Sequence, residues 1–557
     1  RVRRHAPALR EHALTRPRGQ ESNRERDIRE RDVSRALAAL DPTELRMHAT
    51  LALGLTLTAA LVAASPTPPA RPAPQGSCWV PVAVERVSRG SSGGETYACI
   101  AESECPPCKN NSHTTISALG DRVVFSSDAF NVTPTTPPAP TTHVRQIYLR
   151  DLGANTTTLI STPTFVPPAL PTLGDHCSDM PDISRDGEYV VFDSAASNLV
   201  PGDLSVDYDV FLHNVSTHST IRLSVNSDGT EFDYGSYAAR VCKDATVVAF
   251  VTGATNVHNL YAFGSTSAFP TSGIEQVLAR TEPNGDFEWI SAPVSGVANG
   301  KAQFAAIDEN GRYVAFTSES TGMLGSPDPN GATEDVFVRD RATGGLVAIS
   351  VDAAGNLSGN GTSRRPAISD SGRYVVFESV ATNLIGTGTW PGPFNIYVRD
   401  RDADGDGVFD EVGDGVTRLM SVNSAGGASA KNCGYAAISG NGRIVVFTSL
   451  EKSFHPCDAG QLFTQFIFHD RDTNGNGVFD EPSDPILTAI ASKTLANVYA
   501  NGLSGGNCGI SKTGNYAVYN SEGANLVGND FNGPEYDEED SVYPTVGRDI
   551  FRVQFFQ

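Results

Sequence analysis

Short apolar segments alternate with polar, glycine-bearing turns along most of this chain, and seven times the alternation takes the same twelve-residue form. The copies are ISALGDRVVFSS from Ile116, ISRDGEYVVFDS from Ile183, VCKDATVVAFVT from Val241, IDENGRYVAFTS from Ile307, ISDSGRYVVFES from Ile368, ISGNGRIVVFTS from Ile438 and ISKTGNYAVYNS from Ile510. In each, an apolar strand end meets a polar turn and restarts as a β-branched and aromatic run such as Tyr189-Val190-Val191-Phe192, which is the pattern of a hairpin. The turn glycine recurs as Gly120, Gly187, Gly311, Gly372, Gly442 and Gly514, where a positive φ is cheap only without a Cβ. The third copy has Ala245 there, which predicts an altered turn. Five positions on stands Phe125, Phe192, Phe250, Phe316, Phe377, Phe447 or Tyr519, one aromatic per copy, placed to pack between neighbouring sheets.

The copies start 67, 58, 66, 61, 70 and 72 residues apart, a period suited to one four-stranded blade per copy. The predicted fold is therefore all-β, a seven-bladed β-propeller of antiparallel blades over residues 78–557. Third strands are expected at Ile147–Arg150, Asp209–Leu212, Asp335–Val338, Asn395–Val398, Phe466–His469 and Asp549–Val553, and fourth strands most clearly at Ile221–Val225, Leu346–Val351 and Arg418–Val422. Blade seven has no fourth strand of its own, because the sequence reaches Gln557 directly after its third. The segment Val82 to Gly90 resembles Ile221-Arg222-Leu223-Ser224-Val225 and its following turn, so it is expected to close the ring as an N-terminal outer strand.

The phrase I-S-x-x-G-R-Y-V-V-F-x-S, followed by Asp335-Val336-Phe337-Val338-Arg339-Asp340-Arg341, resembles the repeat of TolB-like, or PD40, bacterial β-propellers over about residues 78 to 557. Such propellers serve as periplasmic adaptors, surface proteins and gating domains of peptidases, so the resemblance implies a fold and no particular ligand. The Trp-Asp dipeptide of eukaryotic WD40 repeats is absent from the sequence.

Charge and leader agree with an exported protein. The formal net charge is −22, and residues 1–46 carry 12 Arg against 8 acidic residues, so the remainder is more acidic still and nucleic acid is not an expected partner. Residues 1–46 read as disordered or as upstream of the true start. From Met47 an apolar run, Leu51 to Ala64, ends in small residues; 47–64 reads as a signal peptide rather than a stable membrane span, and 65–77 as a Pro-rich spacer. All nine cysteines lie beyond it, which suits an oxidising compartment: secreted, periplasmic or cell surface. Cys78, Cys99, Cys105 and Cys108 are expected to staple the N-terminal region, Cys457 to bridge in blades six and seven beside Cys433 and Cys508, and Cys177 to have Cys242 as a candidate partner.

The sharpest chemical pattern lies in two enlarged hairpins between third and fourth strands. Blade five reads Asp402-Ala403-Asp404-Gly405-Asp406-Gly407-Val408-Phe409-Asp410-Glu411, and blade six reads Asp472-Thr473-Asn474-Gly475-Asn476-Gly477-Val478-Phe479-Asp480-Glu481. Alternate hard oxygens at positions one, three, five and nine, a backbone carbonyl at seven and Gly at six meet the demand of Ca²⁺ for six to eight oxygens. The expected ligands are Asp402, Asp404, Asp406, Val408 and Asp410, and in blade six Asp472, Asn474, Asn476, Val478 and Asp480. The pattern resembles the calcium hairpins of integrin-type propellers. It departs from an EF-hand in its flanking strands and in Gly413 or Ser483 at position twelve, with Glu411 and Glu481 the nearest substitutes. The alternative is a pair of solvated polar turns.

Acidic clusters at Asp203–Asp209, Asp328–Asp335 and Glu535–Asp540 fall between second and third strands; they are expected opposite the calcium hairpins, and opposite the inter-blade connections as well. No catalytic residue is assigned. Gly90-Ser91-Ser92-Gly93-Gly94 matches G-x-S-x-G without a helix behind it. The histidines His113, His143, His176, His213, His218, His258, His455 and His469 are scattered, with His213 and His218 expected at the surface. Two functions stand: an exported, monomeric, non-enzymatic scaffold for a protein or glycan, stabilised by Ca²⁺, or a glycan-active lyase or hydrolase with its site at the channel mouth.

Overall fold

The computed structural model describes residues 79–89, 113–129, 132, 144–163, 173–282, 285–295, 298–355, 359–386, 393–458, 463–528 and 548–556. All fall within one compact unit, Arg71–Gln557. The readings of 1–78, of Cys99, Cys105 and Cys108, of Gly90–Gly94, of His143 and of Glu535–Asp540 lie outside the described residues.

The seven predicted blades are seven antiparallel sheets, and every described regular element is a strand. Blade two is representative: Ser178–Ile183 innermost, then Tyr189–Ser194, Asp209–Asn214 and Ser219–Arg222 outward. Blade three, whose third strand the sequence leaves unassigned, uses Gln276–Thr281 and Asp286–Trp289, and adds Leu260–Tyr261 in parallel along its outer edge. The six phenylalanines at the fixed aromatic position, and Tyr519, are each fully buried. Stacked neighbours such as Phe192 on Phe211 and Phe377 on Tyr397 extend them into the third strands.

Three side-chain caps per blade, most of them serines, explain why the repeat is so regular. The serine after the inner strand accepts the amide five residues on, as in Ser184 with Tyr189 at 3.0 Å and Ser369 with Tyr374 at 3.0 Å; the Cys242 thiol and the Asp308 carboxylate substitute in blades three and four. The serine ending the second strand caps a bend, as Ser194 does for the amide of Ala196. A third, at the end of the outer strand, accepts the amide near the start of the third strand: Ser161, Ser224, Ser291, Ser350, Ser421 and Ser492 serve blades one to six.

Blade seven obtains this third serine from the other end of the chain. Ala83–Arg86 pairs antiparallel with Asp549–Gln554, in register Ala83 with Gln554 through Arg86 with Phe551. Ser88 then accepts from the amide of Ile550 at 2.9 Å and donates to Asp549 at 2.6 Å. Ring closure by the N-terminal strand is thus the same bonding unit that the other blades make within themselves.

The turn of blade three is not altered. Ala245 adopts φ +56°, the left-handed conformation of the glycines, and its amide reaches the carbonyl of Cys242 at 3.4 Å where the six glycines span 2.8–3.2 Å. The hairpin dictates the conformation, and Ala245 bears the strain of its Cβ. The loop geometry also corrects one expectation. In a four-stranded meander the second-to-third loops and the inter-blade connections share one rim, and here they touch: Leu204 donates to Glu231, Ser236 to the carbonyl of Tyr208, and Asn330 to the carbonyl of Gly359. The third-to-fourth hairpins and the glycine turns share the other rim.

Ser88→Ala removes one hydrogen bond from buried Asp549 and the hydroxyl that accepts the buried amide of Ile550. It is expected to lower stability in urea titration by about 1–3 kcal/mol, against under ~0.5 kcal/mol for the exposed Thr158→Ala in the outer strand of blade one.

Candidate functional site

The ring axis is walled by the inner strands of all seven blades, and its two ends differ. At the end bearing the glycine turns, backbone bonds link one turn to the next: Ala118 to Arg185, Lys243 to Glu309, Glu309 to Asp370, Asp370 to Gly440, Asn441 to Lys512 and Lys512 to Ala118, all 2.9–3.1 Å. Inside this belt, ion pairs cross the axis. Arg185 of blade two meets Asp370 of blade five at 2.9 Å, and Lys512 of blade seven meets Glu309 of blade four at 2.9 Å, with Lys512 to Asp370 and Lys243 to Glu309 each at 3.5 Å. Room for Asp370 depends on Gly440, where a Cβ would stand 2.1 Å from its carboxylate. This end is closed.

Above it lies a cavity of about 490 Å³, within the range of small-molecule sites. Its deep walls are Ile116, Ile183, Val241, Ile307, Ile368, Ile438 and Ile510, with small residues such as Pro181, Ala306 and Ala367 above them. Toward the open end, each inner strand of blades two to six carries a β-bulge. The bulges place Met180, Ala238, Phe304, Arg365 and Tyr435 at φ +46° to +55°, all on the cavity wall. Such conformations cost non-glycine residues of the order of 1–3 kcal/mol each, and bulges re-aim side chains toward sites. Blade seven passes the same stretch without a bulge, on Gly505 and Gly506 at φ +114° and +126°.

Two polar clusters stand behind these bulges. Asp179 accepts from His113 at 2.8 Å, Ser126 at 2.8 Å, Arg145 at 2.5 Å and the amide of Met180 at 2.9 Å. Burial opposes its ionisation, but His113 and Arg145 hold the carboxyl well below the usual range. The neighbouring Asp193 is buried, its Oδ1 has no hydrogen-bond partner, and burial together with the Asp179 charge pushes it well above that range. On the far side, buried Glu378 binds Arg364 at 3.2 Å and the amide of Tyr435 at 2.7 Å. The cavity wall itself carries Arg185, Arg240, Arg365 and His113 against one carboxylate, Asp182. The titratable side chains on the wall are thus mainly basic, with Asp370, Asp179 and Glu378 paired to Arg185, His113 and Arg365 from behind, in a chain of net charge −22.

The enlarged hairpins sit on the closed end's rim. Arg401 of blade five is clamped by Asp410 at 2.5 Å, lies over the rings of Tyr313 and Phe409, and donates to the carbonyl of Gly372. Blade six repeats this with Arg471, Asp480, Tyr374, Phe479 and Gly442. The position-nine aspartates therefore serve an arginine clamp between blades, and the exposed Val408 and Val478 donate their amides to Asp406 and Asn476. What converges in blade five is Asp402, Asp404 and Asp414, and Asp404, Asp406 and Glu411, each trio with oxygens within 4.8 Å. Among the described residues no cation pairs with Asp404, Asp406 or Glu411, and the Asp406 charge, first among its neighbours, raises Glu411. In blade six the side-chain amides of Asn474 and Asn476 donate to Glu481 and Asp484 instead.

The acidic loops of the open rim are partly neutralised: Asp203, Asp209 and Glu231 converge on Arg222. Asp335 is buried, and that burial pushes its carboxyl up to about 8. His213 is not at the surface. It is buried against Thr220, and burial lowers it to about 4, as it does His469 beside Thr488. Cys242, Cys433 and Cys508 are free thiols, so Cys242 is not the partner of Cys177, and Cys177 and Cys457 are disulfide-bonded. Sequence reasoning missed the bulge residues, because they lie in the variable stretch just before each repeat.

No family model matches the chain, and no curated protein is similar to it. Among solved structures it is similar to a putative TolB from Agrobacterium tumefaciens (12% identity over 57% of this chain and 82% of that one, TM-score 0.30). It is also similar to TolB from Acinetobacter baumannii (12% identity, 78% and 81%, TM-score 0.32) and to oligogalacturonate lyase from Vibrio parahaemolyticus (9% identity, 85% and 96%, TM-score 0.43). Likenesses of this size carry no functional assignment. Among the described residues no helix is long and apolar enough to cross a membrane.

Because Asp193 has a raised carboxyl pKa in the fold, its contribution to stability is full below about pH 4 and is lost as pH rises toward the native value. The groups facing it are Asp179, Arg240 and Tyr208. Asp193→Asn removes this titration, so in thermal melts its stability relative to the parent is expected to grow from pH 4 to pH 8, by at most ~1.4 kcal/mol per pH unit.

Proposed function

We propose that this protein is an exported, non-enzymatic binding propeller that receives its ligand in the open mouth of the central cavity. The observation that carries the reading is the asymmetry of the axis: one end is sealed by a backbone belt and ion pairs, and the other opens through five strained, non-glycine bulge residues. A cavity of about 490 Å³ with an apolar floor and a polar mouth has the build of a ligand site. Export is supported by the apolar run Leu51–Ala64 and by cysteine usage. A second reading, an enzyme acting at the channel mouth, is favoured by one observation, the convergence of His113, Asp179 and Arg145.

Fragment soaking of crystals is expected to concentrate bound molecules in this cavity, while oligosaccharides incubated with the protein remain uncleaved. An empty cavity with fragments scattered over the rims overturns the binding reading. Turnover of an oligosaccharide, abolished by His113→Gln, replaces it with the second.

We further infer that the blade-five hairpin holds a structural Ca²⁺ through Asp402, Asp404, Asp406, Asp414 and Glu411. A cation would offset the mutual repulsion of five carboxylates clustered in one loop, and the donor set is hard oxygen. The blade-six ligand set predicted from sequence is the weaker candidate, since its amides already serve its carboxylates. Unfolding of residues 65–557 in Ca²⁺ and in EDTA is expected to differ by about 2.7 kcal/mol at a hundredfold excess over Kd. The difference should vanish in Asp404→Ala with Asp406→Ala and persist in Asn474→Ala with Asn476→Ala. Equal melts in both buffers would make both hairpins ordinary polar turns.

A further inference from the structure

Three successive blades place Phe304, Arg365 and Tyr435 at the same bulge position, with φ of +53°, +49° and +54°. The result is an arginine flanked by a ring from each adjacent blade: the Arg365 guanidinium carbon lies 5.3 Å from the Phe304 centroid and 4.6 Å from that of Tyr435. Its donors are unspent. Arg365 makes no hydrogen bond among the described residues; Glu378 pairs with it at 3.5 Å, and the Glu334 carboxylate also feels its charge. The Glu378 carboxylate is already held by Arg364 at 3.2 Å and by the amide of Tyr435 at 2.7 Å. Arg364 in turn lies over Phe394, 4.0 Å from its centroid, and so belongs to the support rather than to the wall.

Three features make this a recognition element rather than a packing accident. Blade seven runs through this stretch without the bulge, on Gly505 and Gly506, whereas these three blades carry three large side chains on it. The side chain of Arg365 keeps 30% of its exposure and lines the cavity, so its charge is available there. Arg240 adds a second basic side chain to the same wall, where it faces Asp193, while the Asp182 carboxylate accepts the amide of Val241.

Resting on the reading of the cavity as a ligand site, we propose that the ligand presents a carboxylate to Arg365. Rings on both flanks leave the guanidinium its in-plane edge, which matches a planar carboxylate through two parallel hydrogen bonds. The same rings offer an apolar surface to a flat group carrying that carboxylate. A tetrahedral dianion would need further cations around it, but on this wall Arg185 and His113 are already paired with Asp370 and Asp179, and Arg240 faces Asp193.

The test uses benzoate, its uncharged isostere benzamide, and inorganic phosphate, titrated by NMR against the folded protein and located by crystal soaking. Benzoate is expected in the cavity with at least tenfold tighter binding than benzamide and than phosphate. Arg365→Gln is expected to weaken benzoate at least tenfold, and Arg365→Lys to weaken it by a similar factor, since a point charge cannot reproduce the fork. Because Arg365 spends no hydrogen bond on the fold, the melting temperature of both variants should stay within ~2 °C of the parent. Equal binding of benzoate and benzamide in the cavity, or benzoate binding unchanged in Arg365→Gln, overturns the carboxylate while leaving the cavity as a binding site. Phosphate binding tighter than benzoate also overturns it, in favour of a tetrahedral anion. A cavity that takes no molecule of any class overturns the underlying reading as well.

Discussion

The structure depends on closing a ring of seven sheets, and one antiparallel pairing, Ala83–Arg86 on Asp549–Gln554, does so. Each blade is a twisted sheet whose faces are buried only by its neighbours, so an open ring would expose two blade faces and leave blade seven with an unpaired edge. The contact is specific because Ser88 supplies the hydroxyl that Ser161, Ser224, Ser291, Ser350, Ser421 and Ser492 supply in the other blades. Trp79, just before the strand, adds apolar cover by packing on Phe468 and Phe555. The residues that seal the molecule thus come from opposite ends of the sequence and reproduce a local rule.

Closure also allows strain to be held where it is useful. A lone hairpin would relax a left-handed Phe304, Arg365 or Tyr435 by shifting register. In the ring each inner strand is fixed at its far end by the belt of turn-to-turn hydrogen bonds and by the ion pairs across the axis. The two ends of the axis therefore have complementary tasks: one holds the strands in register, and the other spends that rigidity on aiming side chains. The arginine clamps on the closed rim belong to the first task. Arg401 and Arg471, each between two rings and gripped by an aspartate, tie the enlarged hairpins to the preceding blade.

The framework was legible because its determinants recur: an apolar residue, a hydroxyl, a glycine and an aromatic at fixed offsets describe a hairpin without reference to anything distant. The closing strand was legible for the same reason, since Val87-Ser88 repeats Leu223-Ser224. What could not be read is what the ring brings together. Met180, Phe304, Arg365 and Tyr435 share a position but no chemistry, so no pattern marks them. The role of Asp410 was hidden because its partner, Arg401, lies just before the loop that a metal-ligand pattern considers, while Asp414 lies just after it. His213 was placed at the surface by its hairpin, whereas the third strand of a blade is buried on both faces. Ala245 erred in the opposite direction: the residue was unusual, and the turn overrode it.

The sign of the cavity wall is the consequence with the widest reach. A chain this acidic repels anions at long range, so an anionic ligand gains nothing from steering and must be bound by groups that act at contact. An arginine already flanked by rings and held on a bulge has lost much of its side-chain freedom before any ligand arrives, which reduces the ordering cost of binding. Rigidity at the belt, strain at the bulges and a local reversal of charge therefore converge on the open mouth.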